Sequence, residues 1–214
     1  MAVVVDSREA AGAAVDLRVD HQVVSAAAGA ALTVAALPAI GKYGERTKMS
    51  WLKRFLRHVW MSPFVLRRQF TAYTLTAIGN AVTEGEKSHR GQVRFVIEAE
   101  LTTGQLWAGT TARQRAIDVF SLMRAWDTEE NNGVLVYLLL ADRKVEIVAD
   151  RGIHRHVGDE RWRAICREIE HHYRKGDFAS GSVTGIQKIS AELAFYFPAK
   201  GEHANEQPDM PVIL

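Results

Sequence analysis

Apolar and polar residues follow two different periods along the chain, and these periods predict where strands and helices lie. The strand signals are "QVRFVIEAE" at 92–100, the continuous apolar run "GVLVYLLL" at 133–140 and "KVEIVA" at 144–149. A period of two is typical of a half-buried strand, and an uninterrupted apolar run is typical of a strand covered on both faces. Apolar stripes at helical spacing occupy residues 70–89, 112–126, 159–176 and 180–197.

The order of these segments predicts the topology. The first two strands are joined through a helix, which demands a right-handed crossover and parallel pairing. The third strand returns antiparallel through the short turn "ADR". The sequence therefore predicts an α/β fold, with a small mixed (parallel plus hairpin) central sheet and helices on both faces, a Rossmann-like three-layer sandwich.

Composition divides the chain into four parts. We expect a disordered or weakly structured N-terminal extension at 1–48, a basic amphipathic helix at 49–66, the α/β domain at 67–198 and a flexible tail at 199–214. Within the extension, residues 23–40 are uncharged and reach the lower limit of a membrane span, so an appendage and a membrane anchor both stay open. Acidic residues precede this run, which argues against a signal peptide.

The segment "MSWLKRFLRHVWMSP" has the strongest local pattern in the chain. Its large apolar residues fall on one helical face, and its Lys, Arg and His residues fill the other. Such a helix either packs its apolar side on protein or lies on an anionic membrane. The helix at 49–62 is therefore expected to meet a protein partner or a membrane surface, which favours a cytoplasmic or peripheral membrane location; nothing in the sequence clearly supports export.

The bulk composition excludes several classes of protein. A net charge of +2 is too small to indicate nucleic acid as a partner, and one cysteine, Cys166, excludes an internal disulfide. Cys166 lies beside an apolar helical stripe and is interpreted as a packing residue rather than a nucleophile. The histidines lack the spacing of a zinc site, and no phosphate-binding glycine loop is present.

The predicted topology gathers two sets of polar residues at opposite ends of the sheet. Asp142 and Arg143 fall at the carboxyl ends of the parallel strands, where α/β sheets usually bind ligands. The other end is richer in oxygen ligands, which Ca²⁺ and other hard cations prefer. We therefore predict a divalent-cation site there, formed by Asp127, Asn132, Asp150 and Asp159, although Asp159 is also explained as a helix cap.

Several landmarks lie between about residues 70 and 197: Asn132-Gly133 before an apolar strand, the turn Asp142-Arg143-Lys144, Gly152, Asp159 and the run Gly176-Asp177-Phe178. In these features the segment resembles the TPM domain family. The resemblance implies the α/β fold, and it implies little about activity, because the family contains proteins of mixed function, including plant members with acid phosphatase activity and divalent-metal binding. We interpret the chain as a non-catalytic interaction or accessory module near a membrane assembly, with a weak metal-dependent acid phosphatase as the alternative.

Overall fold

The structure, a computed structural model, describes residues 43–61, 63–200 and 208–214, with side chains described from residue 51 onward except that of residue 63. The helices are α1 (Tyr43–Trp60), α2 (Pro63–Gln69), α3 (Ala72–Glu86), α4 (Thr103–Trp107), α5 (Ala112–Leu122), α6 (Arg151–Val157), α7 (Asp159–Arg174) and α8 (Phe178–Tyr196). The strands are β1 (Val93–Glu98), β2 (Val134–Leu139), β3 (Lys144–Ala149) and β4 (Val212–Ile213).

The sheet has the order β3-β2-β1-β4. β1 and β2 are parallel, with Val93 opposite Val134 and Glu98 opposite Leu139, and β3 returns antiparallel to β2. The predicted parallel pair and hairpin are confirmed. We call the end where β1 and β2 begin the amino end of the sheet and the end where they stop the carboxyl end.

Two apolar cores lie on opposite faces of the sheet. Odd-numbered residues of β1 and even-numbered residues of β2 pack with apolar side chains of α3, α7 and α8, among them Ile78, Ile165 and Ile186. The residues of β1 and β2 that point to the other face, such as Val96 and Leu135, pack with side chains of α4 and α5 that include Leu106 and Val119. All six residues of β2 are buried, as its continuous apolar run predicts. The result is the predicted three-layer arrangement.

The N-terminal boundaries differ from the expected ones. Helix α1 begins at Tyr43, inside the segment predicted as a weakly structured extension, and it ends at Trp60 rather than continuing to residue 66. A separate helix, α2, then begins at Pro63, because proline is favoured in the first turn of a helix but breaks a helix interior. Residues 1–42, including the apolar run at 23–40, lie outside the described residues.

The expectation of a flexible tail at 199–214 is wrong for its last residues. Val212 and Ile213 pair in parallel with Val96 and Ile97 of β1, and the Leu214 N–H donates to the Ile97 carbonyl over 2.9 Å. A hairpin plus one parallel strand leaves the outer edge of β1 unpaired, and unpaired edges are commonly covered. β4 provides that cover.

Two short helices, α4 and α6, were not predicted. Asp150 caps α6 by accepting a hydrogen bond from the Arg151 N–H over 2.6 Å. The prediction that Asp159 caps α7 is wrong. Gly158 occupies the cap position, and Asp159 is the first helical residue. The glycine at the cap has a φ of 77°, a conformation that an L-residue rarely adopts.

Candidate functional site

The loop before β2 is fixed by two close backbone approaches at the amino end of the sheet. A Cβ on Gly133 would lie 1.8 Å from the Ala125 carbonyl oxygen, and a Cβ on Gly152 would lie 2.3 Å from that of Asn131. The Asn131 carbonyl also accepts from the Ile153 N–H. Only glycine fits at either position. Gly133 and Gly152 therefore allow the backbone segments around this loop to pack closely. Within this loop, Asn131 has a positive φ of 54°.

Asn132 is the most deeply buried of the predicted cation ligands. Its side-chain Nδ2 donates to the Arg90 carbonyl over 3.2 Å and to Glu130 Oε2 over 3.4 Å. Its Oδ1 atom is buried and accepts no hydrogen bond from any group in the described ranges. A buried amide oxygen without a donor costs free energy, which makes it a candidate ligand for a cation or water.

Asp150 presents a second oxygen of the same kind at this end. Its Oδ1 caps α6, while its Oδ2 is buried and has no donor among the described groups. The backbone joins Asp150 to the loop, because its N–H donates to the Gly133 carbonyl over 2.8 Å. Asn132 and Asp150 therefore flank one backbone contact, and both carry an oxygen that could accept a bond.

The other two predicted ligands lie elsewhere. Asp127 is exposed. Asp159 pairs with Arg163 over 3.3 Å and lies 3.8 Å from His154, and α6 separates it from Asp150 by seven helical residues, about 10 Å of helix. Across residues 43–61, 63–200 and 208–214, no three His, Cys, Asp or Glu side chains form a group that could hold a metal ion. Of the four predicted residues, Asn132 and Asp150 lie in segments that one backbone hydrogen bond joins, while Asp127 and Asp159 have other surroundings.

Asp142 at the carboxyl end has a different environment, because α1 binds it directly. Its carboxylate accepts from Arg54 Nε over 3.1 and 3.0 Å and from Arg54 Nη2 over 2.8 Å. It lies 3.1 Å from Nε2 of His58 and 3.6 Å from Arg57. Burial would raise the pKa of Asp142, but hydrogen bonds from His58 and Arg54 outweigh it and lower that pKa to about 2.

His58 is an integral part of this contact. Its side chain is 2% exposed, and its Nδ1 accepts from the Leu101 N–H over 2.9 Å. Since Nδ1 is an acceptor, the Nε2 atom carries the hydrogen and donates to Asp142. Both ring nitrogens are used, so His58 joins α1 to the sheet and is not placed to transfer protons.

Helix α1 contacts the domain through residues of both its faces. Its basic residues Arg54 and His58 face the protein, while Leu52, Leu56, Val59 and Trp60 are exposed by 49%, 47%, 58% and 82%. We call these four residues the docking face. Two other aromatic residues of α1, Trp51 and Phe55, pack on Trp107 of α4 with ring centroids 5.0 and 6.4 Å away. The sequence indicated two faces of α1, and the structure divides the apolar one: Trp51 and Phe55 pack on the domain, while the docking face is exposed.

Burial also raises the pKa of Glu86 and of the Cys166 thiol. Burial raises the pKa of Glu86 to about 8, against a hydrogen bond from the Val93 N–H that lowers it. Burial, assisted by the charge of Glu146, raises the pKa of the Cys166 thiol to about 12. The thiolate is the reactive form of cysteine, so this pKa agrees with the interpretation of Cys166 as a packing residue.

Comparison with known proteins identifies the family. The profile of the TPM domain matches residues 67–192, more than half of the chain. Among curated proteins, no match to the chain is found. In the described ranges, no helix combines the length and the apolar character needed to cross a membrane.

Two solved structures are similar. The NMR structure of the BA42 protein from the psychrophilic bacterium Bizionia argentinensis is 32% identical, with a TM-score of 0.56, over 67% of this chain and 94% of that one. The N-terminal domain of a protein from P. gingivalis is 15% identical, with a TM-score of 0.47, over 62% of this chain and 82% of that one. The landmarks Asn132-Gly133 and Gly152, which fix the loop before β2, lie within the matched residues. The chain belongs to the TPM domain family.

Proposed function

We propose that this TPM domain protein is a non-catalytic accessory module that docks on an anionic membrane surface. The observation that carries the proposal is the orientation of α1, whose apolar side chains Leu52, Leu56, Val59 and Trp60 face outward. A contiguous apolar patch on a soluble domain is a common sign of an interaction site. Tryptophan in particular is enriched at the boundary between lipid and water.

The docking face is held outward by bonds on the opposite side of the helix. Arg54 and His58 bind Asp142, and Arg54 Nη2 also donates to the Thr110 carbonyl over 2.8 Å. Turning the apolar side inward would break this set of charge-assisted hydrogen bonds, each worth about 1.5–3 kcal/mol. The exposed orientation is therefore a stable feature of the fold, and it presents the apolar residues without a rearrangement.

Charge selects a lipid surface over a neutral apolar partner. Residues 51–83 contain five Lys or Arg residues and no Asp or Glu. Arg54 is occupied by Asp142, while Lys53, Arg57, Arg67 and Arg68 are exposed. Each such cation near an anionic leaflet contributes about 1 kcal/mol. A helix lying flat, with apolar residues in the interface and cations at the headgroups, fits this pattern.

A divalent cation at the amino end is a second part of the proposal. Support comes from the buried oxygens of Asn132 and Asp150 that accept no bond from described groups. Ca²⁺ requires six to eight oxygens, so Glu130 and water would complete the set. Glu130 is ion-paired with Arg90, and a bound cation would compete with that guanidinium. No observation at either end of the sheet favours the alternative of a metal-dependent phosphatase.

The test is binding of the full chain to vesicles of phosphatidylcholine, with and without one third phosphatidylglycerol, measured by sedimentation. We expect binding to the anionic vesicles that weakens as salt rises from 50 to 300 mM, because surface charges are screened. Leu56→Ser/Trp60→Ser should weaken it by about 10-fold or more, since both side chains would enter the interface.

A matched control separates this surface from general hydrophobicity. Leu122 and Phe195 are exposed by 66% and 77% on other helices, and Leu122→Ser/Phe195→Ser should bind vesicles as the unchanged chain does. The proposal would be overturned if Leu56→Ser/Trp60→Ser bound anionic vesicles as tightly as the unchanged chain. It would also be overturned if both double variants lost the same amount of binding. Equal binding to neutral and anionic vesicles would refute the role assigned to the cations.

A further inference from the structure

A cavity of about 360 Å³ lies at the carboxyl end of β2, beneath α2. Its walls are formed by apolar residues from the sheet, from α2 and from the start of α8, including Leu138, Leu140, Val65 and Phe178. At roughly 30 Å³ for each non-hydrogen atom, the volume of a water molecule in the liquid, it has room for about ten to twelve atoms. The carboxyl end of parallel strands is where open α/β sheets bind ligands.

Aromatic rings make one wall of this cavity rigid and apolar. Tyr173 and Phe178 have ring centroids 5.0 Å apart, and Phe70 packs edge-on behind them. The Tyr173 hydroxyl lies 2.7 Å from Ser182 Oγ, so its polar atom is already occupied. The ring of Tyr173 therefore acts as apolar surface, and a hydrocarbon chain is the matching occupant.

The rim of the cavity carries a positive charge. Arg143, Arg174 and Glu170 line it. The Glu170 carboxylate is already engaged: it accepts from the Val145 N–H over 3.3 Å and from Lys144 Nζ over 3.4 Å, and it lies 3.9 Å from Arg174. Within the part of the chain that the structure describes, no carboxylate pairs with Arg143, and guanidinium groups bind carboxylates in a planar, two-bond geometry.

We propose that this cavity binds a single-chain carboxylate, with a hydrocarbon tail of about eight to ten carbons among the apolar walls and its carboxylate on Arg143. The proposal is independent of membrane docking, because its residues are distinct from the docking face. It assigns a role to the turn Asp142-Arg143-Lys144: Asp142 holds α1, and Arg143 receives the ligand.

The test is isothermal titration of the full chain with decanoate below its micelle concentration, beside decanol and acetate. Decanoate should bind about 10-fold more tightly than decanol, because a charge-assisted hydrogen bond is added. Acetate, which lacks the chain, should give no measurable heat. Arg143→Gln should abolish the preference for decanoate and leave decanol binding unchanged, and Arg151→Gln, an exposed arginine on α6, should change neither.

A second variant tests the location. Val65 is half-buried and lines the cavity, so Val65→Trp should fill it and weaken both decanoate and decanol by about 10-fold or more. Circular dichroism and the melting temperature should confirm that this variant is folded. Binding of decanoate no tighter than decanol, or a folded Val65→Trp that binds both ligands normally, would overturn the proposal; its failure would leave vesicle binding by the docking face unaffected.

Discussion

Asp142 at the carboxyl end of the sheet and the pair Asn132 and Asp150 at the amino end have opposite environments. At the carboxyl end, the Asp142 carboxylate is surrounded by donors from Arg54 and His58, and its pKa is lowered to about 2. At the amino end, Asn132 and Asp150 each keep a buried oxygen without a donor among the described groups, and burial raises the pKa of Glu86 to about 8.

This contrast separates structural charges from candidate ligands. A carboxylate that is fully bonded inside the chain stabilises the fold and has little capacity left for another partner. Buried oxygens without a donor weaken the fold unless something binds them. The number of acidic residues alone does not make this distinction. Asp142 lies between β2 and β3 and Asp150 directly follows β3, so both are acidic residues next to a strand.

The largest expected effect is at the carboxyl end. Asp142→Ala leaves Arg54 and His58 without their shared acceptor, and breaking one partner of a well-buried ion pair costs about 3 kcal/mol. Asp150→Ala, which loses one helix cap, should cost about 1 kcal/mol. Urea unfolding of both variants measures the difference, and a cost for Asp150→Ala that equals or exceeds that for Asp142→Ala would contradict the contrast between the ends.

The pH dependence of stability provides a second test, with opposite signs at the two ends. Glu86 has an ordinary pKa of 4.5 and a folded value of about 8, so the folded state holds a proton that the unfolded state has lost. The free energy of unfolding should therefore fall as the pH rises from 4.5 to 8. Glu86→Gln, which cannot ionise, should remove most of this slope in urea unfolding measured at pH 5 and pH 8.

The Asp142 contribution has the reverse dependence. Its folded pKa is about 2, below its ordinary 3.8, so its stabilisation is present above pH 3.8 and is lost as the pH falls toward 2. Asp142→Asn should therefore leave the slope between pH 5 and pH 8 unchanged, which makes it the control for Glu86→Gln. An unchanged slope in Glu86→Gln would show that another group titrates in that window.

The smallest expected effect is the response to Ca²⁺ at the amino end. At a concentration ten times its dissociation constant, a bound cation adds about 1.4 kcal/mol to the free energy of unfolding. Asp150→Asn keeps an oxygen that can cap α6 but removes the negative charge, so it should lose this response. Thermal melting with 5 mM Ca²⁺ or with chelator gives the readout, and Asp159→Asn should retain the shift. A shift that survives Asp150→Asn would place the cation elsewhere.

The central sheet could be predicted because its signals are local. The run of apolar residues at 134–139 has no polar interruption, and the helix between β1 and β2 leaves parallel pairing as the natural connection. β4 could not be predicted in this way, since two residues carry no measurable period. Its position depends on the free edge of β1, which is a property of the folded sheet.

The candidate site could be predicted only in part. Asn132 and Asp150 lie at the same end of the sheet because they flank paired ends of neighbouring strands, and strand order predicts that. Asp159 is separated from Asp150 because residues 151–157, for which the sequence predicted no helix, form α6. The orientation of α1 depends on a partner 84 residues away, His58 with Asp142, and an amphipathic pattern cannot identify which of two faces finds such a partner.

The two-residue strand β4 has a practical consequence for handling the protein. It covers the outer edge of β1, whose backbone N–H and carbonyl groups would otherwise be open to a neighbouring chain. Proteolysis or a bulky fusion tag at residues 208–214 would leave that edge available for pairing between molecules. Purification tags are therefore better placed at the other terminus, and aggregation of C-terminally tagged material would be the first sign that the edge is uncovered.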